Sequence, residues 1–191
     1  MLFPVTREDV EQAADTRVHR LSPDVARRYG FSGETARLLT EVGIPELHRY
    51  GLRFELPEEF DPEWVNKAEE LREDGWEVGP EADTWVSVGY FPTDHVVVDP
   101  RTGEVYQLAE AEPVPLRIHA DLSSFLRTIV VAAETGRACA AVSRLPDEVE
   151  RWNALSDQGR ATVEAVDPLP FAHEESEWVR LFDSMAAGMY W

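Results

Sequence analysis

Apolar residues recur at helical spacing towards the carboxyl end of the chain. Leu122, Phe125, Leu126, Ile129, Val130 and Ala133 fall at i, i+3, i+4, i+7, i+8 and i+11, one unbroken stripe of 3.6-residue period. Asp121 suits the cap before it and Gly136 the stop after it. Removing each large side chain of that stripe from water is worth roughly 1.5–3 kcal/mol, which outweighs the modest helix propensity of Ile129 and Val130. Trp178, Leu181, Phe182, Met185 and Met189 repeat the pattern. Between the two stripes, residues 145–166 read as a helix with polar faces, weakened in its middle by Gly159.

The period changes to two in the centre. Val86, Val88 and Tyr90 alternate with Ser87 and Gly89, the pattern of a half-buried strand running from Trp85. Residues 95–98 read as a second strand and 104–108 as a third. Asp99-Pro-Arg-Thr-Gly103 joins them as a hairpin loop, with Pro100 at the first corner of a type I turn and Gly103 at positive φ. A short edge near residues 116–118 is a further strand candidate, set against Pro113 and Pro115. Another strand is expected at 53–56.

Capping signals organise the amino-terminal part. Thr6 with Asp9 three residues on forms a capping box, and Val5 and Val10 stand where a hydrophobic staple closes. Ser22-Pro23 opens a second helix that Gly30 ends. Ser32 opens a third, with Ala36, Leu38, Leu39 and Val42 inward. Gly43 in the left-handed C′ position, Ile44 as its apolar contact and Pro45 as a breaker end it. A helix over 62–71 is expected to bury Trp64, Val65, Ala68 and Leu71.

Charge changes the picture at that point. The 191 residues carry 37 carboxylates against 18 bases, a formal net charge of −19. From Glu55 to Asp83 twelve carboxylates meet only Lys67 and Arg72, so this stretch contributes −10 of the total. Charge this dense opposes compaction and repels nucleic acid, and it suits a cationic partner; a solvated face serving solubility is the plainer alternative. Six Trp, eight Phe and five Tyr argue for a packed core despite the charge. The single cysteine, Cys139, excludes an internal disulfide and reads as a small buried hydrophobe. With no leader pattern and no long apolar run, a cytoplasmic protein without a membrane span is expected.

Little suggests catalysis. His19, His48, His95, His119 and His173 include no pair at helical zinc spacing. His95, near Asp94 and Asp99 beside a hairpin, is the one candidate for a metal or general-base role, against an ordinary strand-edge histidine. Glu58-Glu59, Glu69-Glu70 and Glu174-Glu175 are carboxylate pairs, but acid–base work needs two carboxylates in different environments within a cleft. No phosphate loop, dinucleotide fingerprint or serine elbow occurs. No cofactor and no metal is expected.

The order of these segments resembles the SUKH superfamily of immunity proteins. The similarity is carried by Ala36-Arg-Leu-Leu-Thr-Glu-Val-Gly-Ile-Pro45, the strand 85–90, the hairpin Val96-Val-Val-Asp-Pro-Arg-Thr-Gly-Glu-Val-Tyr106 and the helix opening Leu122-Ser-Ser-Phe-Leu126. Val166-Asp-Pro168, Glu177-Trp178 and Ala187-Gly-Met-Tyr190 are similar to its fourth clade. The stretch 57–83 aligns with no family motif and is a candidate acidic insertion in one domain spanning 1–191. The resemblance implies an α+β fold, a twisted and mainly antiparallel sheet surrounded by helices. It also implies a non-catalytic role: binding and neutralising a cognate polymorphic toxin, typically a nuclease or nucleic-acid deaminase. It carries over no catalytic residue, and Gly43, Pro45, Asp99, Gly103 and Asp167 read as backbone-shaping positions.

The partner expected is therefore a basic toxin domain, with neither nucleic acid nor membrane as a partner and the oligomeric state open. Glu58, Glu59, Glu69, Glu70, Glu73, Asp74 and Glu77 are the candidate contact residues, with Trp76 as an exposed aromatic anchor. The competing class is an interaction or regulatory module of the same fold without a toxin partner.

Overall fold

The computed structural model describes residues 1–110 and 112–190. Its centre is a five-stranded antiparallel meander in which every strand pairs with its sequence neighbour: β3 (Arg53–Phe54), β4 (Val86–Tyr90), β5 (His95–Val98), β6 (Val105–Leu108) and β7 (Leu116–His119). The amino-terminal part comprises α1 (Arg7–Ala13), β1 (Val18–His19), α2 (Pro23–Arg28), α3 (Gly33–Arg37) and β2 (Ile44–Pro45). Three helices follow the sheet, α5 (Leu122–Val142), α6 (Glu148–Glu164) and α7 (Glu177–Ala186), so the class is α+β.

The capping signals hold. Thr6 accepts from the Asp9 amide while Asp9 accepts from the Thr6 amide, and Val5 and Val10 are both buried. Ser22 caps α2 and Asp121 caps α5. Ser32 stands at the start of α3 but makes no side-chain cap bond. After Arg37 the helix widens into a π turn over Leu38–Val42 and stops at Gly43 as expected. The reason for that glycine differs from the expectation. Its φ of +91° and ψ of 178° lie outside the left-handed helical region, and a Cβ there would sit 2.5 Å from the His19 carbonyl oxygen. The bare backbone lets the chain close onto β1, and Ile44 and Pro45 then form β2 opposite His19 and Val18.

Gly136 does not stop α5, which continues to Val142. The residue is small because Tyr50 lies against the helix there: a Cβ at position 136 would overlap the phenol of Tyr50, itself buried. The helix expected over 62–71 breaks in two. Asp61 caps a 3₁₀ turn, Pro62–Trp64, and then Val65 and Asn66 turn extended to pair with β4. The Asn66 amide donates to the Trp85 carbonyl at 2.8 Å. β-Branched Val65 and turn-forming Asn66 gain little from a helix, so the sheet edge wins. Helix α4 (Ala68–Glu73) starts only after Lys67, with Asp83 accepting from the Ala68 amide at 2.8 Å. Met189, placed on the last apolar stripe by its spacing, lies beyond the end of α7 and is exposed.

Both faces of the sheet are apolar. Val86, Val88, Val96, Val98, Val105 and Ile118 face the main core with Phe54, Phe125, Ile129 and Trp178. On the opposite face Val97 and Leu108 join Trp85, Ala68, Leu71 and Ala82 in a second cluster. That cluster is built from the β3–β4 connection, the acidic stretch itself. Trp85 stacks on Tyr106 there, with ring centroids 4.5 Å apart.

An irregularity in the β6–β7 pairing sets Val105 against His119 and Tyr106 against Arg117, leaving Ile118 as an extra residue. The bulge turns His119 into the core, where it is fully buried. The Trp178 indole N–H donates to His119 Nε2 at 2.7 Å, and the Ser124 hydroxyl lies 3.0 Å from Nδ1 and donates to Asp167 Oδ2 at 2.6 Å. An indole can only donate, so the His119 proton sits on Nδ1 and passes its hydrogen bond to Ser124. The imidazole is thereby neutral, and burial pushes its pKa well below 6.5, against a weaker opposing pull from Asp121. The chain of bonds ties α7, β7, α5 and the turn after α6 together.

Two predictions follow from these contacts. In most helix interiors Gly→Ala stabilises by about 1 kcal/mol. Gly136→Ala should instead destabilise by roughly 1–3 kcal/mol, because it overpacks against Tyr50; chemical denaturation measures it, and a stabilised variant would contradict the packing. For His119, the unfolded chain takes up a proton below pH 6.5 and the folded chain does not. Stability should therefore fall as pH drops below 6.5, with a slope of up to about 1.4 kcal/mol per pH unit from this group. Denaturation of the His119→Gln variant should show a shallower dependence over that window.

Candidate partner-binding groove

The β3–β4 connection does not lie flat on the sheet. Its apolar side chains hold it to the outer face, while α4 stands clear of the strands and leaves a groove of about 630 Å³ beside β5 and β6. One wall consists of Glu63, Val65, Asn66, Lys67, Glu70, Leu71, Asp74, Gly75 and Trp76; the other of Thr93, His95, Leu108, Glu110, Glu112 and Pro113. Local bonds fasten both walls. The Glu77 amide donates to the Pro113 carbonyl at 2.6 Å, the Trp76 amide to the Leu71 carbonyl at 2.8 Å, and Arg72 Nε to the Val78 carbonyl at 2.9 Å.

The groove is unevenly charged. Five carboxylates line it, Glu63, Glu70, Asp74, Glu110 and Glu112, with Lys67 as the single cation. Lys67 Nζ pairs with Glu70 at 2.5 Å, and among the described residues no arginine or lysine pairs with the other four. Some carboxylates elsewhere do pair with arginine: Arg7 and Arg20 share Glu11, Arg37 takes Glu34, Arg101 takes Asp99 and Arg117 takes Glu104.

The groove gathers three of the candidate contact residues, Glu70, Asp74 and Trp76. Glu69 and Glu73 are exposed on α4 outside it, Glu77 follows Trp76, and Glu58 and Glu59 are exposed between β3 and the 3₁₀ turn. Trp76 is half-buried rather than fully exposed, because its ring packs on the second cluster. Glu63, Glu110 and Glu112 also line the groove and were absent from the candidate set. The acidic run after β6 was a legible signal, but its separation from 57–83 hid the convergence.

His95 lines the groove with its ring edge-on to Tyr90, 4.3 Å between centroids. Burial lowers its pKa, opposed by the charges of Asp94 and Glu110. The two aspartates that suggested chemistry are engaged elsewhere: Asp94 accepts from Gln107 and Thr93, and Asp99 pairs with Arg101. Among the described residues no group of three or more His, Cys, Asp or Glu is arranged to hold a metal ion.

Two other polar clusters are structural. Ser124, His119 and Asp167 meet in the core, but Ser124 gives its proton to Asp167 and no surface reaches it. Glu46, buried at the end of β2, accepts from Thr16, from Arg17 Nε at 3.0 Å, and lies 2.5 Å from His19 Nε2 and 2.9 Å from His48 Nε2. Burial alone would raise its pKa; these hydrogen bonds outweigh burial and hold it at about 2. Burial pushes the Cys139 thiol up to about 11, which leaves it an inert core residue.

The meander flanked by helices is an α+β architecture. The family model described as SUKH-4 immunity protein matches residues 5–184, and the chain belongs to that family. No curated protein and no solved structure matches it. The matched span includes the whole β3–β4 connection. Among the described residues no helix is long and apolar enough to cross a membrane.

Acid should loosen the β1–β2 corner before other changes occur there. The Glu46 contribution to stability is complete above its ordinary value of 4.5 and is lost as pH falls from 4.5 towards about 2. Glu46→Gln should flatten the stability profile over that window, measured by denaturation at a series of pH values.

Proposed function

We propose that the chain neutralises a cognate toxin by binding it through the acidic surface of the β3–β4 connection, without chemistry of its own. Membership of the SUKH-4 immunity family over residues 5–184 carries this reading. The partner it fits is a toxin domain acting on nucleic acid, a nuclease or a nucleobase deaminase. Such proteins are cationic around the substrate groove, because they must neutralise phosphates. A negative surface laid over that groove competes with the substrate for the same charge and steers its own approach over a Debye length of about 10 Å.

Glu58, Glu59, Glu69, Glu70, Glu73, Asp74 and Glu77 are the contact residues in this reading, and Trp76 gives the interface an aromatic anchor. Their placement favours it: all seven carboxylates are exposed on the β3–β4 connection, Glu69, Glu70 and Glu73 of them on α4, and the apolar cluster of that connection fixes it to the sheet. Little of the interface needs ordering on binding, which lowers the cost of association. The cell interior is where such a protein would meet its toxin.

The direct test is co-expression with a toxin candidate encoded beside it, scored by survival and by recovery of the complex. Survival should require the wild-type chain. Changing Glu69, Glu73 and Glu77 together to lysine should abolish protection while leaving thermal stability close to wild type, since all three are exposed. The association rate should also fall at least about tenfold as salt rises from about 50 to about 500 mM. Protection and on-rate that survive both treatments would leave the acidic surface with a solubility role only.

A further inference from the structure

We infer that residues 67–84 form a strap that lifts from the outer face of the sheet as one unit, about a base at Asn66 and Trp85, while the rest of the domain stays folded. The inference is independent of the toxin-binding reading and holds whatever partner the domain meets.

Tethering defines the unit. Asn66 closes the base: its backbone amide and its Nδ2 both donate to the Trp85 carbonyl, at 2.8 and 3.1 Å, beside the bridge between Val65 and Val86. The chain therefore leaves the sheet and returns to it at one point. Inside that loop the bonds are local, from the Ala68 amide to Asp83, the Trp76 amide to the Leu71 carbonyl and Arg72 Nε to the Val78 carbonyl. Among the described residues a single hydrogen bond runs from 67–84 to anything beyond its base, the Glu77 amide to the Pro113 carbonyl. The remaining hold is apolar. Ala68, Leu71 and Ala82, with Trp76 and Val78 partly buried, lie against Val97, Leu108, Trp85 and Tyr106. No described residue of 67–84 belongs to the main core, so the strap can lift without disturbing α5 or any strand pairing.

Two features oppose closure. The first is buried: Trp85 is 3% exposed, yet its Nε1 has no hydrogen-bond partner, alone in this among the buried side-chain nitrogens and oxygens of the described residues. An unmet donor shut away from water is costly, and water satisfies it once the strap lifts. The second is charge. Residues 67–84 carry seven carboxylates against Lys67 and Arg72, and Glu70 and Asp74 share the groove with Glu110 and Glu112 of the opposite wall. Opening separates these charges, and salt screens them. The apolar contacts prevail, so the closed form is the populated one and the open form a minor state in exchange with it. Lifting uncovers Val97, Leu108, Trp85 and Tyr106, an apolar sheet face that the closed domain hides.

Hydrogen exchange of the full chain, followed by NMR, tests this. At about 50 mM salt the α4 amides should be at least about 100-fold less protected than those of residues 129–133 in α5. The Trp85 indole N–H should share the protection of α4, whereas that of Trp178, bonded to His119, should keep the protection of α5. Raising salt to about 500 mM should increase α4 protection at least about threefold. Glu110→Gln with Glu112→Gln, which leaves the strap itself untouched, should increase it at low salt. Leu71→Ala should lower α4 protection about tenfold and leave α5 within about twofold.

Equal protection of α4 and α5, or a Leu71→Ala variant that lowers both alike, would show that the strap unfolds only with the whole domain and would overturn the inference. So would a Trp85 indole that exchanges at once while α4 stays protected, because water would then reach it in the closed form. Protection of α4 that ignores both salt and the Glu110→Gln with Glu112→Gln change would overturn the role given to charge. The wild-type measurements decide the main point without any variant.

Discussion

A β-meander that is apolar on both sides cannot leave either side wet, and this requirement organises the molecule. Antiparallel sheets commonly bury one face and solvate the other. Here Val96 and Val98 point into one core and Val97 into another, on the same four-residue strand. Helix α5 satisfies the first demand, buried along most of its length. The second falls to the β3–β4 connection, whose charge would otherwise keep it extended in water. Leu71, Trp76, Ala82 and Trp85 tie it down, and its carboxylates are left with nowhere to go but outward. The acidic groove is thus a by-product of covering the sheet, which makes it a rigid feature and not a loop excursion.

Inside the main core, specificity comes from a few polar side chains in defined roles. The Trp178–His119–Ser124–Asp167 chain has one consistent arrangement of protons, and it locks helix α7 to the sheet. Gln107 does similar work: its amide nitrogen reaches Asp94 at 2.6 Å and the Glu175 carbonyl, and its oxygen accepts from the Glu177 amide. An apolar core tolerates sliding; these groups do not, because each shift strands a buried donor or acceptor.

Most of the local elements were legible in the chain, since caps, turn residues and periodicity act over a few residues. The Thr6 capping box, the Asp99–Gly103 hairpin and the α5 stripe came out as read. What failed depended on distant neighbours. Gly136 looks like a stop until Tyr50 is placed against it, and residues 62–71 look like one helix until the edge of β4 competes for Val65 and Asn66. The candidate contact surface shows the same split. Glu70, Asp74 and Trp76 belong to a local cluster and were readable, whereas Glu110 and Glu112 join them only through the sheet. The burial of His119 was not legible, because a bulge, invisible to a period-two pattern, turned it inward.

Lys67 is the only lysine in the chain, and it stands on the groove rim. Among the side chains it is therefore the one address for amine-directed reagents. A fluorophore or crosslinker placed on Lys67 would report from the mouth of the groove without any engineered cysteine, and acylation in the cell would deepen the local negative field by one unit.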